Sequence, residues 1–134
     1  MPVSLPSNLA AAAHAVAVAA GYDLVVLFGS AARGEPAPRD LDIGVWSRGP
    51  VDLLDATNRF VEALGVGAVD VVDLRRANPV LLMCVARDGV ALYEAHRSAF
   101  NEFVSLAMRR YADTKKFRDA VREQLQEYAA RQPA

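Results

Sequence analysis

Along the chain, runs with helical spacing alternate with short, continuous apolar runs, and most carry their own stop signals. Residues 9 to 20, "LAAAAHAVAVAA", predict a helix, with Ser7 or Asn8 able to cap its start and Gly21 placed to end it. "DLVVLFG" at 23 to 29 is apolar throughout, rich in β-branched residues and bounded by turn residues, the pattern of a buried strand. "LDIGVW" at 41 to 46, "GAVDVVDL" at 67 to 74 and "VALYE" at 90 to 94 predict three further strands. Between them, "VDLLDATNRFVEALG" at 51 to 65 places Leu54, Asn58, Val61 and Leu64 at helical spacing, after Pro50 and before Gly65. "NPVLLMCVARDG" at 78 to 89 opens on Asn-Pro and closes on Asp-Gly, as a capped helix does.

From residue 97 onward the periodicity is helical only. Phe100, Phe103, Val104, Ala107 and Tyr111 form one apolar stripe, and Phe117, Val121, Leu125 and Tyr128 form another. The spacing predicts two helices, or one long helix bent near Asp113 and Thr114. Both stripes read first as core, and because the second follows the end of the αβ alternation, a partner is the lesser alternative cover for it.

Composition narrows the classes. The 134 residues suffice for one domain with a core, and 53% hydrophobic with 23% charged residues is a folding composition. A formal net charge of -1 conceals an asymmetry: residues 1 to 74 hold 4 Lys/Arg against 9 Asp/Glu, residues 75 to 134 hold 11 against 7. That polarity suits a metal-binding half joined to a partner- or anion-binding half, while a solvated basic surface explains it equally well. The near-neutral total speaks against nucleic-acid binding through a general basic surface. Cys84 is the only cysteine, which excludes an internal disulfide and a multi-cysteine zinc site. The longest apolar stretch is interrupted by His14, falls short of the roughly 20 residues of a membrane span, and has no preceding basic residue of the kind that opens a signal peptide, so a cytoplasmic location is expected. His14 itself reads as a packing or surface residue.

The chemistry concentrates in acids set among apolar strand residues. With a side-chain period of two, Asp40 and Asp42 share one face while Leu41 and Ile43 take the other. Carboxylates that close raise each other's pKa unless a cation lies between them, and hard oxygen ligands without a cysteine or histidine pair favour magnesium over zinc. In "VDVVDL", Asp70 and Asp73 are three apart and face opposite sides, so at most one joins Asp40 and Asp42. Asp70, between Val69 and Val71, is the better candidate; Asp73, near the strand end, is expected to meet solvent or Arg75. "GSAARG" after the first strand is suited to turn at Gly29 and open a short helix at Ser30, whose unpaired amides and hydroxyl would face an anion. It lacks the lysine of the common ATPase phosphate loop.

Taken together, "LFGSAARGEPAPRDLDIGV" followed by "VDVVDL" resembles the minimal nucleotidyltransferases of the DNA polymerase β superfamily over about residues 5 to 95. The resemblance implies an α/β (α+β) fold, a small mixed β-sheet of about four strands with flanking helices. It implies one domain over 1 to 134, with its core at about 5 to 95 and a C-terminal helical extension at about 97 to 132. It also implies two Mg2+ ions and transfer of a nucleoside monophosphate from a triphosphate to a hydroxyl, releasing pyrophosphate. On this resemblance Gly29 and Ser30 would hold the triphosphate, Asp40 and Asp42 would bridge the metals, and Asp70 would bind the catalytic metal and help activate the hydroxyl. Arg33 would reach substrate phosphate or pair with Glu35. One departure is visible: the usual Ser-Asp-Ile-Asp is here Arg39-Asp40-Leu41-Asp42, with a loop one residue shorter than in many members.

Small members of this shape resemble the antitoxins of HEPN ribonuclease toxins, which add AMP to a toxin tyrosine. The resemblance therefore points to an ATP-dependent protein adenylyltransferase with a HEPN toxin as partner, in a homo- or hetero-oligomer, with neither membrane nor direct nucleic-acid binding. Two alternatives stand beside it: transfer to a small molecule such as an antibiotic, and an antitoxin that acts by binding alone.

Overall fold

The computed structural model describes residues 7–34 and 40–132. Ten elements follow in order: α1 (Leu9–Ala20), β1 (Leu24–Phe28), α2 (Gly29–Ala32), β2 (Leu41–Trp46), α3 (Leu53–Leu64), β3 (Val69–Asp73), α4 (Pro79–Asp88), β4 (Val90–Glu94), α5 (Ala99–Asp113) and α6 (Lys115–Arg131). The strands form one mixed sheet in the order β3-β2-β1-β4, with β1 antiparallel to both neighbours and β2 parallel to β3. The parallel pair is joined through α3, the crossover that such pairs require. No helix among the described residues is long and apolar enough to cross a membrane.

Local chemistry sets the boundaries. Gly21 and Gly65 close α1 and α3 in the left-handed conformation, at φ 79 and 70, where a side chain would be strained. Asp52 caps α3 by accepting from the Asp55 amide at 3.1 Å, and Asn78 caps α4 by accepting from the Leu81 amide at 2.9 Å, with Pro79 in the first turn. Asn8 occupies the cap position of α1 without making the side-chain bond expected of it.

Both faces of the sheet are covered, by different helices. On one face Val25, Leu27, Leu41, Ile43, Val45 and Val69 pack with the alanine-rich side of α1 and with α3. The buried stripe of α3 is Ala56, Phe60 and Leu64, and Leu54, placed on the stripe by its spacing, is 73% exposed. The small residues Ala12, Ala13 and Ala17 leave room for one large ring, and a helix turned to present Phe60 must turn Leu54 away. On the other face Leu24, Val26 and Phe28 of β1 pack with Leu82 and Val85 of α4 and with Ala99, Phe103 and Ala107 of α5. The first C-terminal stripe is thus part of the core. The second is not: α6 buries no residue, and Phe117, Leu125 and Tyr128 are 72%, 63% and 63% exposed.

Candidate active site

The site assembles where β1 ends and β2 and β3 begin. Pairing sets Phe28 opposite Asp42 and Asp42 opposite Asp70, so three neighbouring strands contribute at one level, about 4.8 Å apart. Directly opposed residues point to the same face of a sheet, so the Asp42 and Asp70 carboxylates stand side by side. Asp40 lies one residue before β2, exposed, two positions from Asp42. Asp42 is half-buried, and Asp70 is exposed.

Gly29 follows Phe28 with φ 75 and opens α2. A Cβ there would overlap Oδ2 of Asp42 and lie 3.0 Å from its Cγ. The missing side chain is therefore the space in which the Asp42 carboxylate sits. Ser30 follows, half-buried, in a helical turn whose first amides have no partner within that turn.

Electrostatics single out the same residue. Burial first, then the charges of Asp70 and Asp40, push the Asp42 carboxyl above its ordinary value, while the Arg33 guanidinium pulls it the other way. Three carboxylates on one edge, one of them raised by the others, form a set of hard oxygen ligands whose repulsion a divalent cation removes, so the chemistry fits magnesium. Among the described residues no three acidic, histidine or cysteine side chains converge closely enough to form a ready-made cage. Asp42 is the fixed member of the set, and Asp40 and Asp70 are exposed side chains that can rotate toward it.

The structure separates the two acids of the third strand. Asp73 points to the face opposite Asp70 and is 7% exposed, accepting from the Val51 amide at 3.3 Å and the Arg75 amide at 3.1 Å. It meets Arg75, as expected, but through the backbone, and it is closed off from solvent rather than open to it. Two amides offset the cost of burying the charge, which makes Asp73 a strut for the turn after β3. Glu35, considered as a partner of Arg33, and Arg39, at the family's serine position, lie outside the described residues. Asp88, to which the sequence draws no attention, feels the Arg33 charge as well, although its carboxyl is held below the ordinary value chiefly by hydrogen bonds from Arg87 at 3.1 and 3.0 Å. In sequence it is merely the acid of an Asp-Gly helix stop, and only the packing of α4 brings it toward the arginine.

Comparison with known proteins agrees with the fold. The family described as polymerase beta nucleotidyltransferase matches over residues 18–98. No curated protein sequence matches the chain. Among solved structures, a toxin–antitoxin with AMP-PNP contains a chain 24% identical, with a TM-score of 0.76, covering 87% of this chain and 98% of that one. The toxin–antitoxin MntA–HepT is 22% identical with a TM-score of 0.71, covering 87% and 96%. A complex of the tri-AMPylated Shewanella oneidensis HEPN toxin with its MNT antitoxin is 26% identical with a TM-score of 0.64, covering 78% and 83%.

Proposed function

The chain belongs to the polymerase β nucleotidyltransferase family, and from that premise we propose that it transfers AMP from ATP to a tyrosine hydroxyl of a HEPN-type toxin, acting as the toxin's antitoxin in the cytoplasm. The observation that carries this reading is the in-register pair Asp42 and Asp70, with Gly29 making room for Asp42. Asp40, Asp42 and Asp70 would hold Mg2+, which supplies positive charge to the phosphates and acidifies the acceptor hydroxyl when bound. Gly29 and Ser30 present backbone amides and a hydroxyl to the triphosphate, and Arg33 adds a cation beside it. Asp70, the more exposed of the strand pair, faces the acceptor and takes its proton. The acceptor oxygen attacks the α-phosphorus of ATP, the bond from that phosphorus to the pyrophosphate oxygen breaks, and AMP remains on the acceptor.

The acceptor arrives on a partner. Phe117, Leu125 and Tyr128 of α6 lie open on a helix with no buried residue, and an unpartnered apolar face of this kind is a protein-docking surface. The test is label transfer from α-labelled ATP, with magnesium, to the product of the neighbouring gene. Transfer lost in Asp40→Ala and Asp42→Asn supports the proposal, and no transfer by the wild type overturns it. Toxin neutralised equally well by Asp42→Asn would instead establish inhibition by binding alone.

A further inference from the structure

At the opposite end of β2 from Asp42 lies a second concave region, centred on Trp46, about 13 Å away at the rise of a strand. A cavity of about 350 Å³ is lined there by Trp46, Asp73, Arg75, Arg76 and Arg110, with Pro50 and Leu106. Its charges are unbalanced. Asp73 is the only acid in it and already accepts from two backbone amides. The Arg75 guanidinium donates to a backbone carbonyl, that of Arg48, and among the described residues Arg76 and Arg110 have no carboxylate partner. Guanidinium forks left without carboxylates match phosphate oxygens in geometry as well as charge.

A second cavity of similar volume shares Trp46 and Leu106 with it and adds Asp23, His96, Glu102 and Arg109. This cavity is the more acidic of the two, with two carboxylates, Asp23 and Glu102, against the one guanidinium of Arg109, and an imidazole bonded to Glu102 at 3.0 Å. A ligand that spans both cavities is therefore anionic at one end and rich in hydroxyl or amino donors at the other, with a flat group for the half-buried indole between them. We propose that this Trp46 cleft binds a nucleoside phosphate, its phosphate among Arg75, Arg76 and Arg110, its base against Trp46, and its sugar or amino donors on Asp23 and Glu102. The site is separate from the Asp42 edge and does not depend on the transferase reading.

Trp46 is the only tryptophan, so indole fluorescence, excited selectively over the 4 tyrosines, reports on this cleft. ADP titrated into the intact protein in EDTA should quench Trp46 saturably, to the same extent in wild type and in Asp42→Asn. Arg76→Glu and Arg110→Glu should each weaken binding at least tenfold with unchanged melting. Arg76→Gln should show the same direction of effect if a Glu variant melts early. A single-stranded pentanucleotide that binds tenfold tighter than ADP assigns the nucleotide to a strand, and equal or weaker binding assigns it to a free ligand. The proposal is overturned by absence of saturable quenching, by loss of quenching in Asp42→Asn, or by full binding in the arginine variants. It is equally overturned if inorganic pyrophosphate or an oligoglutamate peptide competes as well as ADP.

Discussion

Replacing Gly29 by alanine tests the central contact of the site, because the structure supplies its own control. Gly21 and Gly29 share the left-handed conformation, at φ 79 and 75, but a Cβ at Gly21 meets nothing within 4 Å while one at Gly29 overlaps the Asp42 carboxylate. The backbone strain is common to both, about 1 to 2 kcal/mol. At Gly29 the Asp42 side chain must also leave its rotamer or the strand must shift, which adds about 1 kcal/mol. Urea melts should place Gly29→Ala about 1 kcal/mol below Gly21→Ala, or about 4 °C lower in Tm for a chain of this size. In an Asp42→Ala background, which removes the overlapping Oδ2 and Cγ atoms and leaves only the Cβ contact at 3.2 Å, most of that excess should disappear. Activity should fall more steeply than stability, by about 100-fold, because a ligand moved by an ångström misplaces the reacting phosphate. Equal penalties for the two glycines, unchanged by removal of Asp42, would refute the claim that Gly29 exists to seat that carboxylate.

Other outcomes follow from the same geometry. Because the Asp42 carboxyl is raised above its ordinary value, the metal-free protein should lose stability as pH rises through the raised pKa, whereas Asp42→Asn lacks this loss; in EDTA the variant's Tm advantage should be absent in acid, grow through that window and persist above it, and added magnesium should shrink it. Asp73→Ala leaves the Val51 and Arg75 amides without their acceptor and should cost about 1 to 3 kcal/mol in a denaturant melt, while Asp70→Asn should leave the melt nearly unchanged and abolish label transfer. Phe117→Glu with Leu125→Glu should leave the Tm of the isolated protein unaltered, since both side chains are already in water, and should abolish co-purification with the proposed HEPN-type partner.

Strand positions were readable from the sequence because continuous apolar runs between turn residues have few other stable forms, and β2 and β4 fall at 41 to 46 and 90 to 94 as expected. Helix limits were readable where Gly21, Gly65 and Asn78 mark them. The orientation of α3 was legible only in part: Leu64 is buried and Val61 packs on the core as their spacing predicts, but Leu54 and Asn58 face out, and the alanine surface of α1 takes Ala56 and Phe60 instead.

The sequence by itself determined that Asp70 and Asp73 take opposite faces, because both lie within β3 and the side-chain period is a property of one strand; Asp40 precedes β2 and is not bound by that period. It also placed a turn at Gly29. The tertiary structure alone decided that Asp70 stands opposite Asp42, that Asp73 is buried beneath two amides, and that the carboxylate of Asp42 fills the space above Gly29. Those are relations between strands, and register is set by how the α3 crossover and the two core faces pack across the intervening chain, where a slip of one residue would send every side chain to the other side.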